Sequence, residues 1–67
     1  MNINTTQDER LLKVPEVAER LAIVPFQVRR LIWKGDLPSV RIGRAVRVRS
    51  SDVAAFIDQN TITREAA

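Results

Sequence analysis

The chain predicts a mainly α-helical domain with one small β-hairpin. Three observations carry that expectation. Two short helical stretches, each opened by a proline, are separated by only Ala22-Ile23-Val24. A run of arginines alternating with small or β-branched residues, SVRIGRAVRVRS, turns about a single glycine. A last apolar stripe follows a pair of serines.

The first helix is expected over Pro15 to Ala22. Proline suits the first helical position, where its missing N–H costs nothing. Glu16 in the first turn complements the helix dipole. Val14, Val17, Ala18 and Leu21 recur at helical spacing and form one apolar stripe. Pro25 opens the second helix by the same device, and the helix runs to Lys34 with Val28, Leu31 and Ile32 inward. Gly35 can close it in the left-handed conformation, and Pro38 prevents a restart. Two helices joined by so short a turn fit a helix-turn-helix.

The alternating run reads as a hairpin, since period-two alternation marks a half-buried strand. If Val40, Ile42, Val46 and Val48 share one face, Ile42 pairs with Val46 and Val40 with Val48. Gly43-Arg44-Ala45 is then a three-residue loop. The same register sets Arg41 opposite Arg47, a destabilising like-charge pair that makes sense if a negative surface approaches. Ser50 or Ser51 is expected to cap a third helix whose stripe is Val53, Ala54, Phe56 and Ile57. The order helix, helix, hairpin, helix is that of a winged helix-turn-helix, with the hairpin as wing. It would occupy residues 11–59, beginning with Leu11 and Leu12 docked on the core, between a flexible lead-in over 1–10 and a flexible tail over 60–67.

Composition limits what such a domain does. Its 67 residues include no cysteine and no histidine, so no disulfide framework and no thiolate or imidazole zinc site is available. The usual acid–base and nucleophile sets are absent too, as is any phosphate loop, so neither an enzyme nor a cofactor is expected. The polar start MNINTTQDER has no apolar signal region, and no apolar run approaches the roughly 18 residues of a membrane span. A soluble, cytoplasmic protein without membrane contact is the simplest expectation.

Charge is strongly polarised. Residues 25–49 carry seven basic side chains and one acid, Asp36, a local net charge of +6; the remainder carries four basic and seven acidic residues, or −3. Such a map suits a polyanionic partner. With Val28 at the centre of the buried face and 100° per residue, Arg30 points almost directly away from the core. Phe26 and Trp33 flank it on one side, Gln27 and Lys34 on the other, and Arg29 stands at the border. Arginine can pair with guanine, glutamine with adenine, and phenylalanine can touch a thymine methyl. Arg30 and Gln27 are therefore the leading base-reading candidates, Lys34 a phosphate contact, and Arg29 open to either role. Phe26 is divided between DNA contact and packing. Trp33 is expected against the core edge or a neighbouring protomer. On the wing, Arg41, Arg44 and Arg47 face outward, with Arg44 at the tip.

The run LLKVPEVAERLAIVPFQVRRLIWKGDLPSVRIGRAVRVRSSDVAAFI resembles the excisionase family of small DNA-binding proteins, whose fold is that of MerR-type winged helix-turn-helix domains. The resemblance covers Leu11 to Ile57. It implies a recombination directionality factor that binds double-stranded DNA beside a phage or mobile-element attachment site, bends it as several cooperating copies, and steers an integrase towards excision. It implies Gln27, Arg29 and Arg30 in the major groove and Arg44 in the minor groove, where a narrow A·T-rich groove attracts arginine. Two positions depart from the family pattern. Ala22 stands where glycine is common, at a cost of roughly 1 kcal/mol if the left-handed turn is kept. Val24 stands where serine or threonine commonly caps the second helix. A small transcriptional regulator with the same fold is the alternative, and a protein-binding adaptor using Phe26, Trp33 and the tail the alternative from another class.

Overall fold

The computed structural model describes residues 9–63. The lead-in expected over 1–10 therefore lies outside the described residues except for Glu9 and Arg10, as does the tail beyond residue 63. Three strands and three helices follow in the order β1 (Leu11–Lys13), α1 (Val14–Leu21), α2 (Pro25–Lys34), β2 (Val40–Ile42), β3 (Ala45–Arg49) and α3 (Ser50–Gln59). This is the winged helix-turn-helix expected, with an additional strand. Leu11 and Leu12 do more than dock: with Lys13 they form β1, antiparallel to β3, and the sheet order is β1-β3-β2.

The core is a single cluster of Leu12, Val14, Val17, Ala18, Val28, Leu37, Val48 and Val53. Each helix contributes the residues that its apolar spacing places inward, and Leu21, Leu31, Ile32 and Phe56 pack around the cluster half-buried. Ala54 and Ile57, expected in the α3 stripe, are exposed. Leu37 reaches the core from the loop after α2.

Both helices of the helix-turn-helix end in the same hydrogen-bonded motif. In α1 the Ala22 N–H donates to the Glu19 carbonyl at 3.2 Å and the Ile23 N–H to the Ala18 carbonyl at 3.0 Å. In α2 the Gly35 N–H donates to Ile32 at 3.0 Å and the Asp36 N–H to Leu31 at 2.9 Å. These are paired Schellman bonds, which require a left-handed residue. Gly35 adopts it at φ +84°, and Ala22 at φ +59°, the only positive φ outside glycine among the described residues. The turn thus keeps its left-handed geometry although it carries a Cβ. At the start of α1 the Glu16 carboxylate accepts the Lys13 N–H at 2.8 Å. No side chain caps α2 at Val24.

The hairpin register differs from the expected one. Val40 opposes Arg47, Arg41 opposes Val46 and Ile42 opposes Ala45, leaving a two-residue loop, Gly43-Arg44. Gly43 at φ +59°, followed by a residue of negative φ, is the pattern of a type II′ turn, whose twist matches the strands. Shortening the loop by one residue reverses the relation between the two strands' faces. Val40 and Ile42 therefore share a face with Arg47 and not with Val48, and Ile42 is 57% exposed. The wing projects past the core at this point, so nothing compels β2 to bury its apolar side. Arg41 does not oppose Arg47. The like-charge partner of Arg47 is Lys13, across the β1–β3 ladder.

The serines do not cap α3 either. Arg49 still has extended geometry and is the cap residue, so Ser50 and Ser51 lie inside the first turn. Ser50 instead exchanges two bonds with Arg10: its N–H donates to the Arg10 carbonyl at 2.8 Å, and its hydroxyl accepts the Arg10 N–H at 3.0 Å. The Ser51 hydroxyl donates to Glu9 at 3.0 Å. Both serines tie the entry of β1 to the start of α3.

Ala22→Gly is expected to stabilise the domain by about 1 kcal/mol, the relief of a left-handed Cβ less the entropy glycine adds to the unfolded chain. For a domain of this size that is a rise of about 4–8 °C in the thermal midpoint. A midpoint unchanged or lowered would mean the Cβ is not strained.

Candidate nucleic-acid interface

The left-handed turn at Ala22 sets α2 against α1, and burial of Val28 fixes its rotation. The opposite face of α2 is then exposed. Phe26, Gln27, Arg29, Arg30, Trp33 and Lys34 are all open to solvent. The structure divides these residues into three sectors.

The first sector faces the wing. Arg29 lines a shallow groove of about 270 Å³ together with Lys13, Arg44 and Arg47. Its remaining walls, Val14, Pro15, Ala45 and Val46, carry no acid. Arg44 stands at the wing tip. Arg47 is half-buried, and its guanidinium donates to the Val46 carbonyl at 3.0 Å, which holds it along the strand. Lys13 was not expected here. Its strand is only three residues long, too short for alternation to be read, and only the pairing with β3 brings it opposite Arg47.

The second sector is the outermost strip, Phe26, Arg30 and Trp33. The two aromatic rings meet edge to face, with centroids 6.1 Å apart and planes at 82°. Phe26 is 60% and Trp33 69% exposed. Trp33 therefore does not cover the core edge. Helical geometry puts positions 26 and 33 two turns apart on one stripe, so the rings lean towards each other across Arg30.

The third sector faces α3. Gln27 lines an apolar groove with Leu21, Ile23, Leu31, Phe56 and Ile57. Lys34 lies beside Phe56, Gln59 and Asn60, and its ammonium is 3.5 Å from Asp36, the one acid of the basic segment. Gln27 and Arg29, expected to act together, thus stand on opposite edges of α2. Arg41 is exposed on β2, on the strand face shared with Val46 and away from the face that carries Arg47.

Residues 11–61 match the family model described as a helix-turn-helix domain. The chain belongs to that family. It is also 43% identical over 49 residues to "Putative DNA-binding protein MT0521" of Mycobacterium tuberculosis strain CDC 1551 / Oshkosh, and equally to "Putative DNA-binding protein Rv0500A" of strain H37Rv. Each match covers 73% of this chain and 63% of the relative's own length. No solved structure matches significantly. The helix-turn-helix assignment agrees with the fold. Among the described residues, no helix is long and apolar enough to cross a membrane, and no cluster of acidic side chains is placed to hold a metal ion.

Asp36→Asn tests the electrostatic part of this helix-turn-helix surface. The Lys34–Asp36 pair is exposed, so its loss should change stability by less than about 1 kcal/mol. Removing the only acid from the basic segment should tighten DNA binding at low salt, and the gain should fade as salt rises. Equal affinity at low salt would place Lys34 and Asp36 outside the DNA-facing field.

Proposed function

We propose that the protein binds double-stranded DNA with α2 in the major groove and the β2–β3 wing in the adjacent minor groove. The observation that carries this reading is the groove between α2 and the wing. A duplex read in two adjacent grooves has one sugar-phosphate strand running between them. That strand would lie in the groove lined by Lys13, Arg29, Arg44 and Arg47, four cations with no acid among them. Phosphate contacts position a protein, and base contacts specify the sequence. Arg29, Arg47 and Lys13 are accordingly positioning residues, Arg30 the base reader, and Arg44 the minor-groove probe. Gln27 reads bases from the far edge of α2, where Lys34 adds a phosphate contact, and Phe26 makes an apolar contact from the outermost strip beside Arg30. Arg41 follows the backbone along the wing.

The biological role we propose is that of an excisionase. Several copies bind repeated sites near an attachment site, bend the DNA and direct an integrase towards excision. The resemblance over Leu11 to Ile57 supports this role. A single domain of this size buries too little surface for strong specificity, which favours cooperating copies. The second reading is a small transcriptional regulator, favoured by the same DNA-facing residues.

A gel-shift titration on DNA flanking the gene's integration site, with scrambled competitor, separates the roles. Stepwise selective bands, with excision restored when integrase is added, support the excisionase. A selective shift on a promoter fragment alone supports the regulator. In the same assay Lys13→Ala, Arg29→Ala and Arg47→Ala should each weaken binding equally on every sequence and reduce the slope of log K against log salt by about 0.9. Arg30→Ala should instead lower discrimination between sites by about 1–3 kcal/mol. Arg44→Ala should cost most where an A·T-rich minor groove meets the wing. Uniform loss for Arg30→Ala would make it a phosphate contact.

A further inference from the structure

The Phe26–Trp33 pair has no role in the core. Both rings stand more than half exposed at the crest of α2, touching each other edge to face at 6.1 Å. Exposed aromatics of this size are seldom left unpartnered on a soluble surface. What surrounds them limits the partner. Arg29 and Arg30 lie between them in sequence, Lys34 follows, and the nearby acid Asp36 is 3.5 Å from Lys34. An apolar strip set among cations fits a surface that is itself apolar in the middle and anionic at its borders. The floor and walls of a DNA major groove answer that description where thymines occur. Phosphates border the groove, and the thymine C5-methyl is the apolar group displayed on its floor.

We infer that Phe26 and Trp33 form one apolar reading element that packs on thymine methyl groups in the major groove, with Arg30 reading a guanine between or beside them. The inference rests on the DNA-binding reading above and adds a sequence preference to it. The two ring centroids are 6.1 Å apart. Stacked bases along one strand repeat every 3.4 Å or so, so the pair reaches across about two base steps. The preferred site is therefore a short thymine-containing step next to a guanine. The edge-to-face contact fixes both rings against each other, so little side-chain freedom remains to be lost on binding.

The test uses the whole chain and duplexes selected from a randomised pool for tight binding. Each thymine of the selected core is replaced in turn by deoxyuridine, which lacks only the methyl group. Wild-type protein should lose about fourfold in affinity at each thymine whose methyl the rings cover, the equivalent of one buried carbon. Phe26→Ala and Trp33→Ala should bind the thymine duplex more weakly and should no longer distinguish it from the deoxyuridine duplex. Both side chains are exposed, and unchanged thermal melting of the variants would confirm that they fold. Wild-type affinity that is the same for thymine and deoxyuridine at every position overturns the inference while leaving the DNA-binding reading intact. Variants that bind all duplexes like wild type also overturn it, and assign the aromatic pair to a protein partner. Absence of salt-sensitive binding to any duplex overturns both readings together.

Discussion

Alternation along β3 is the constraint on which the rest of the structure depends. Five residues serve the core and the surface in turn. Val48 is fully buried against Leu12, while Arg47 on the opposite face meets Lys13 on one side and Val40 on the other. Among the described residues, β3 is also the only strand paired on both edges. Its first residues carry the wing, its middle holds the sheet together, and its last residue passes directly into α3. A one-residue slip would send Arg47 inward and Val48 outward, so the core and the cationic groove are specified by the same register. With eight buried hydrophobic side chains among the described residues, there is no second layer to absorb such an error.

The helix pair is fixed by different means. Schellman bonds end both α1 and α2, and each redirects the chain within two residues. The first orients α2, and the second sends Leu37 back into the core before the wing begins. Glycine serves at position 35, whereas alanine is held at position 22. The strain at Ala22 persists because the turn satisfies the Ala18 and Glu19 carbonyls, and because Val17 and Val28, from the two helices it joins, share one core. A left-handed alanine is therefore a sign that packing of the two helices overrides local backbone preference.

The first two helices were legible in the sequence because their signals are redundant: a proline at each start, apolar residues at helical spacing, glycine or a short turn at each end. The wing was legible as a hairpin but not in its register. Four β-branched residues suggested one buried face, yet a hairpin that projects beyond the core has no such requirement, and the glycine turn decided the pairing instead. β1 was not legible. A three-residue strand has too few positions to show a period, and its partner lies more than thirty residues away. That omission hid Lys13. The outward set on α2 was legible from the helical step, but its division between wing and α3 depends on tertiary placement. The helical step already sets Gln27 and Arg29 about 200° apart; what each edge faces, the wing beside Arg29 and α3 beside Gln27, is visible only in the fold.

The groove between α2 and the wing has a cost that clarifies its purpose. Lys13 and Arg47 are directly opposed across β1 and β3, and like charges so placed destabilise a sheet by a few tenths of a kcal/mol to about 1 kcal/mol. A domain of this length has little stability in reserve. Substituting an acid at position 13 would relieve the repulsion and keep the half capping bond, since that bond uses only the backbone N–H. The acid would also place negative charge where the proposed phosphate strand would pass. The arrangement that favours folding and the arrangement that favours a polyanion are therefore opposed at this one pair, and the chain carries the second. Nothing in the core requires a cation at Lys13, Arg29 or Arg44, which are all exposed. Their convergence on one groove whose lining residues include no acid is what the proposed polyanionic ligand would explain.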